Sequence, residues 1–132
     1  MKSVPVLILS NNQTLSHSLE RWLMQSEGIE VCSFVAEHHD LDCLERLIAE
    51  KDPIVALALR MPAADDFETI RVLRTAHPDI RIITIAPICT DEYTRIVKAI
   101  GATICIAYKD LDRDLIPAVR RLDRTPGWNA IE

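Results

Sequence analysis

The sequence predicts a three-layer α/β/α domain, a five-stranded parallel sheet with helices on both faces. Three observations predict it. Five short apolar runs alternate strictly with five segments of helical periodicity. The first and third runs, Val4 to Ser10 and Ile54 to Leu59, are continuous apolar stretches, the pattern of strands covered on both sides. The chain has 132 residues, one domain's length, and its 48% apolar and 27% charged residues suffice for a continuous core.

Val4 to Ser10 (VPVLILS) reads as the first strand, ended by Asn11 and Asn12. Leu15, Leu19, Trp22 and Leu23 follow at i, i+4, i+7 and i+8, one stripe of a helix that Gly28 stops. Ile29 to Val35 is a strand with Glu30 on one side, a charge that suits a sheet edge. Leu41, Leu44, Leu47 and Ile48 mark the second helix, closed before Pro53. Ile54 to Leu59 is the third strand, and Phe67, Ile70 and Leu73 mark the third helix. Ile80 to Ala86 is the fourth strand. Thr90 then caps a helix with Asp91 and Glu92 in its first turn, Tyr93, Val97 and Ile100 along it, and Gly101 at its end. Thr103 to Ala107 is the fifth strand, and Leu111, Leu115, Val119 and Leu122 define the last helix. Residues 1–123 form the domain; 124–132, with Trp128, read as a tail or the start of a linker.

For five such strands the flavodoxin-like order 2-1-3-4-5 is the common solution, and it places the second strand at an edge. The ligand crevice then lies at the carboxyl ends of the first and third strands. No G-x-G-x-x-G loop, Walker lysine or G-x-S-x-G elbow stands there, which disfavours a nucleotide-binding fold or a hydrolase triad. A flavin carrier lacks its phosphate loop. A formal net charge of −5 and 5% aromatic residues argue against direct nucleic-acid binding. No apolar run reaches a membrane span. Cys32, Cys43, Cys89 and Cys105 are scattered, with no C-x-x-C pair, which suits reduced thiols in a cytoplasmic protein rather than a disulfide framework or zinc site.

Specific segments carry a resemblance: VLILS; PIVALALRMP followed by AADDFETIRVLR; HPDIRIITI; and KAIGATICIAYKDLDRDLIPAVRRL. In that order and spacing the chain, from Val4 to Leu122, resembles the receiver (CheY-like) domain of two-component response regulators, in the subgroup joined to LuxR-type DNA-binding domains. The resemblance implies the fold and a role in signal transduction or transcription regulation. It also implies a chemistry in which strand-end carboxylates hold Mg²⁺ beside an acceptor Asp, and a Thr or Ser and a Lys hold the phosphoryl product.

The pattern fails at those positions. Ser10 and Asn11 stand where the family has its acidic pair, Ala58 at the acceptor and Ala86 at the Thr or Ser. Alanine has no nucleophile, so phosphoryl transfer to Ala58 is chemically excluded. Lys109 matches the lysine only after a one-residue shift; an ungapped count gives Tyr108. The aromatic switch residue is replaced by Ile106, or by Cys105 in the ungapped count.

The expectation is therefore a degenerate pseudo-receiver: not an enzyme, without cofactor or metal, a regulatory protein–protein interaction module that works without Asp phosphorylation. The resemblance implies a partner protein or a second copy, docked on the face of the fourth helix, fifth strand and fifth helix. Arg95, Lys98, Tyr108, Asp112, Arg113 and Arg120 are that face's candidates. The alternative is a small-molecule sensor using the vacated pocket of Ser10, Asn11 and Lys109. Asp65 and Asp66 read as caps of the third helix rather than a substitute acceptor or metal site. His38, His39 and Asp40 read as a solvated helix start, and Cys89 as an ordinary loop residue before a redox one.

Overall fold

The structure, a computed structural model, describes residues 4–10, 13–26, 28–35, 41–58 and 64–123. The strands are β1 (Val4–Ser10), β2 (Ile29–Val35), β3 (Ile54–Ala58), β4 (Arg81–Ala86) and β5 (Ile104–Ala107). The helices are α1 (Gln13–Met24), α2 (Leu41–Lys51), α3 (Ala64–Ala76), α4 (Asp91–Ile100) and α5 (Leu111–Leu122). A 3-10 turn, Tyr108–Asp110, joins β5 to α5. The five strands form one parallel sheet in the order β2-β1-β3-β4-β5, as the alternation of elements predicts. The edge position of β2, read from Glu30, holds: Glu30 stays partly in solvent and pairs with Lys51 at 2.7 Å.

Strand side chains alternate between two cores, following the period of two. Val4, Val6 and Ile8, with Ile54, Ala56, Ile83, Ile85 and Ile106, pack against Leu19 and Leu23 of α1 and Leu115, Ala118 and Val119 of α5. Leu7, Leu9, Val55, Leu57 and Ile82 face the other way, against Ile48 of α2 and Ile70 and Leu73 of α3, with Tyr93 and Ile100 of α4 at the margin. This double cover explains why β3 is apolar at every position, and why β1 and β4 are apolar but for Ser10, Arg81 and Thr84.

Three details depart from the sequence reading. The fourth strand starts at Arg81, not Ile80, and the fifth at Ile104, not Thr103. Thr103 instead accepts the Ile82 N–H on its hydroxyl at 3.1 Å while donating its own N–H to the Ile82 carbonyl at 2.8 Å, so a side chain replaces one rung of the ladder. Trp22 does not join the core stripe; it is 39% exposed. At 100° per residue, the buried face of α1 runs through Ser16, Leu19 and Leu23, which leaves Trp22 on its flank beside Leu15. Leu59 and the tail, Trp128 included, lie outside the described residues.

α4 is capped as its sequence predicts. The Thr90 hydroxyl accepts the Tyr93 N–H at 3.1 Å, and Asp91 and Glu92 fill the first turn. Gly101 ends the helix at φ 147°, and a Cβ there would sit 2.9 Å from the Cβ of Arg74.

Candidate functional site

The carboxyl end of the sheet is where a parallel α/β fold holds its ligands. β1 ends there in Ser10, which is 3% exposed, beside Val35 of β2. β3 ends in Ala58, in register with Ile85, and β4 ends in Ala86, fully buried and in register with Ala107. The first, third and fourth strands thus close on one hydroxyl and two methyl groups. Asn11 lies outside the described residues. Mg²⁺ takes anionic oxygens in near-octahedral geometry. Among the described residues, the last positions of β1, β3 and β4 supply no carboxylate, so they do not fit that ion. Among the described residues no group of three His, Cys, Asp or Glu could hold a metal ion.

Lys109 lies in the Tyr108–Asp110 turn and is exposed. Its surroundings are those of an open groove of about 360 Å³ between α1 and the start of α5, which it lines with Leu15, Trp22, Tyr108, Leu111 and Asp112. Tyr108 packs its ring on the α1–α5 core. Tyr108 and Asp112 therefore belong with α1 as well as with α5. Arg95 and Lys98 are exposed on α4, and Arg120 on α5. Arg113 is exposed and bonded to Asp114 at 3.1 Å and Asp110 at 3.1 Å; those carboxylates hold its guanidinium charged. The candidate residues are thus divided between two surfaces. Asp65 and Asp66 fall in the first turn of α3, and their side chains lie outside the described residues, as do His38, His39 and Asp40.

Two features escaped the sequence reading. One is the groove, which Trp22 lines from the flank of α1. The other is a pair of thiols. Cys89, in the loop after β4, stands 2.6 Å from Cys105 of β5, sulfur to sulfur. Burial first, then the hydrogen bond and charge of Cys105, push the Cys89 thiol from 9.0 up to about 12. No sequence signal links two cysteines sixteen residues apart on different elements; the β4–β5 pairing brings them together.

The backbone is that of receiver domains. The response regulator of the LuxR family from Aurantimonas sp. superimposes with a TM-score of 0.76 at 17% identity, over 92% of this chain and 85% of that one. The response regulator domain of CheB from Thermotoga maritima gives 0.72 at 14% identity, over 96% of this chain and 100% of the other. A candidate pilus assembly protein from Burkholderia thailandensis gives 0.78 at 14% identity, over 90% and 97%. At such identities these likenesses show the fold. No family model and no curated protein matches the sequence.

Proposed function

We propose that this chain is a pseudo-receiver, a regulatory protein–protein interaction module that works without Asp phosphorylation. The observation that carries the reading is Ala58 at the end of β3, between Ser10 of β1 and Ala86 of β4. In-line transfer needs a nucleophile and a cation to neutralise the moving phosphoryl group. Ala58 offers no nucleophile at its position, and Ser10, Ala58 and Ala86 offer no carboxylate to hold a cation. What the fold retains is its outer surface. α4 carries exposed Arg95 and Lys98 with Ile96, 44% exposed, between them, and Ile88 in the loop before α4 is 70% exposed. Apolar side chains rimmed by charge are the composition of a contact surface for a partner protein or a second copy of the chain.

Acetyl phosphate with Mg²⁺ tests the reading, followed by intact mass and sedimentation velocity on treated and untreated protein. The expected result is an unchanged mass and an unchanged association state. An acid-labile phosphoryl adduct overturns the proposal and makes another residue, Asp65 or Asp66 first, the acceptor. A double reversal, Arg95→Glu with Lys98→Glu, is expected to weaken self-association or partner binding at least tenfold while leaving Tm unchanged, since both side chains are solvated.

A further inference from the structure

Cys89 and Cys105 are free thiols brought into contact by the fold. Their sulfurs are 2.6 Å apart, inside van der Waals contact and beyond the roughly 2.05 Å of a covalent S–S bond. Both are half-buried. The register explains the approach. Cys105 lies opposite Thr84 on β5, and Ala107 opposite Ala86, so the loop after β4 folds back along β5 to bring Cys89 over residue 105. A backbone hydrogen bond from Ala86 holds Cys89 there.

We propose that Cys89 and Cys105 form a reversible intramolecular disulfide under a hydroperoxide, fastening the loop that enters α4 to β5. One thiolate of the pair attacks the terminal oxygen of the hydroperoxide. The O–O bond breaks, a sulfenic acid forms, and the alkoxide leaves as an alcohol after taking a proton. The second thiol loses its proton to solvent and attacks that sulfur; the S–O bond breaks and hydroxide leaves as water. Two thiols and ROOH become one disulfide, ROH and H₂O: the sulfurs lose two electrons and the peroxide gains them. The burial that keeps Cys89 protonated slows the first step and protects the pair from stray oxidants. The short S···S separation makes the second step fast once the first has occurred.

The bond has a mechanical consequence. Ile88, 70% exposed, precedes Cys89, and Thr90, the N-cap of α4, follows it. A crosslink at Cys89 fixes the placement of both. This consequence rests on the reading of α4 as a contact surface; the covalent step does not.

The full chain treated with hydrogen peroxide, against a dithiothreitol control, tests the proposal by intact mass and non-reducing peptide mapping. The expected result is a loss of two hydrogens, a linked peptide pair containing Cys89 and Cys105, and none in Cys89→Ser or Cys105→Ser. Closing a loop of this length is expected to raise Tm by about 10 °C, reversibly. Oxygen addition without crosslinking, a bond to Cys32 or Cys43, or a bond between chains overturns the proposal. Sedimentation velocity on the two redox forms reads the coupling: equal association overturns the link to α4. An acetyl phosphate adduct instead overturns the interaction reading and leaves the disulfide standing.

Discussion

The two ends of the sheet are treated oppositely. At the carboxyl end β1, β3 and β4 stop at Ser10, Ala58 and Ala86, with no charged side chain among them. At the amino end the sheet buries a full guanidinium. Arg81, the first residue of β4, is 6% exposed; it donates to the carbonyls of Leu122 and Asp52 and lies 3.5 Å from the Asp52 carboxylate. Arg74 does the same for the turn after α4, donating to the Gly101 carbonyl at 2.6 and 3.1 Å and to that of Pro78 at 2.6 Å. The lesson is that charge at a sheet end is not in itself a functional signal. A buried guanidinium that closes helix ends, here those of α2 and α5, is structural, and its hydrogen bonds offset its desolvation. At the opposite end β1, β3 and β4 themselves stop without a charged side chain.

The largest way to break this contrast is Arg81→Ala. It leaves the Leu122 and Asp52 carbonyls short of a donor and opens a cavity between α2, β4 and α5. A loss of about 3 kcal/mol in urea unfolding is expected. A loss under about 1 kcal/mol would make the amino end dispensable and dissolve the comparison. Arg81→Met, which keeps the volume, separates packing from hydrogen bonding.

Ser10→Asp attacks the other end. It places a carboxylate at a site 3% exposed and is expected to cost about 2 kcal/mol at pH 7. Burial raises the folded-state pKa of that carboxyl above its unfolded value. The folded state then binds the proton more tightly, so the cost is small near pH 4 and grows as the pH rises. A variant as stable as the wild type across that range would show a carboxyl end still fit for charge.

The smallest effect concerns Cys89. Its thiol, pushed up from 9.0 to about 12, holds its proton more tightly in the folded chain than in the unfolded one. Its contribution is intact below pH 9 and lost as the pH rises toward 12. Under reducing conditions, the Tm of the wild type is expected to fall more steeply above pH 9 than that of Cys89→Ser. Parallel curves would mean that neither burial nor Cys105 raises the Cys89 thiol in the folded chain.

Most of the fold was legible in the residues. The five apolar runs and five helical stripes matched the five strands and five helices, and Glu30 marked the edge strand. Thr90 and Gly101 bounded α4 because caps are local: a hydroxyl reaching an N–H three residues on, and a backbone at positive φ. Ser10 and Ala86 were legible as strand ends from their apolar runs, whereas Ala58 was picked out by the resemblance, the run itself reading on to Leu59. Trp22 was misread for a geometric reason. Spacing fixes which residues share a stripe but not where along its width the burial centre falls; that depends on how α1 seats against β1 and α5.

What the sequence determined by itself is therefore the alternation of elements, their caps, the covered faces of the strands and the absence of a nucleophile at position 58. Each follows from interactions within a few residues or from the chemistry of one side chain. What only the tertiary structure decided are the contacts between elements. Arg81 closes α2 and α5 across 29 and 41 residues. Trp22 meets Tyr108 across a groove, and Cys89 meets Cys105. These depend on strand order, register and helix seating, and they cross loops whose closure leaves no periodic trace in the chain.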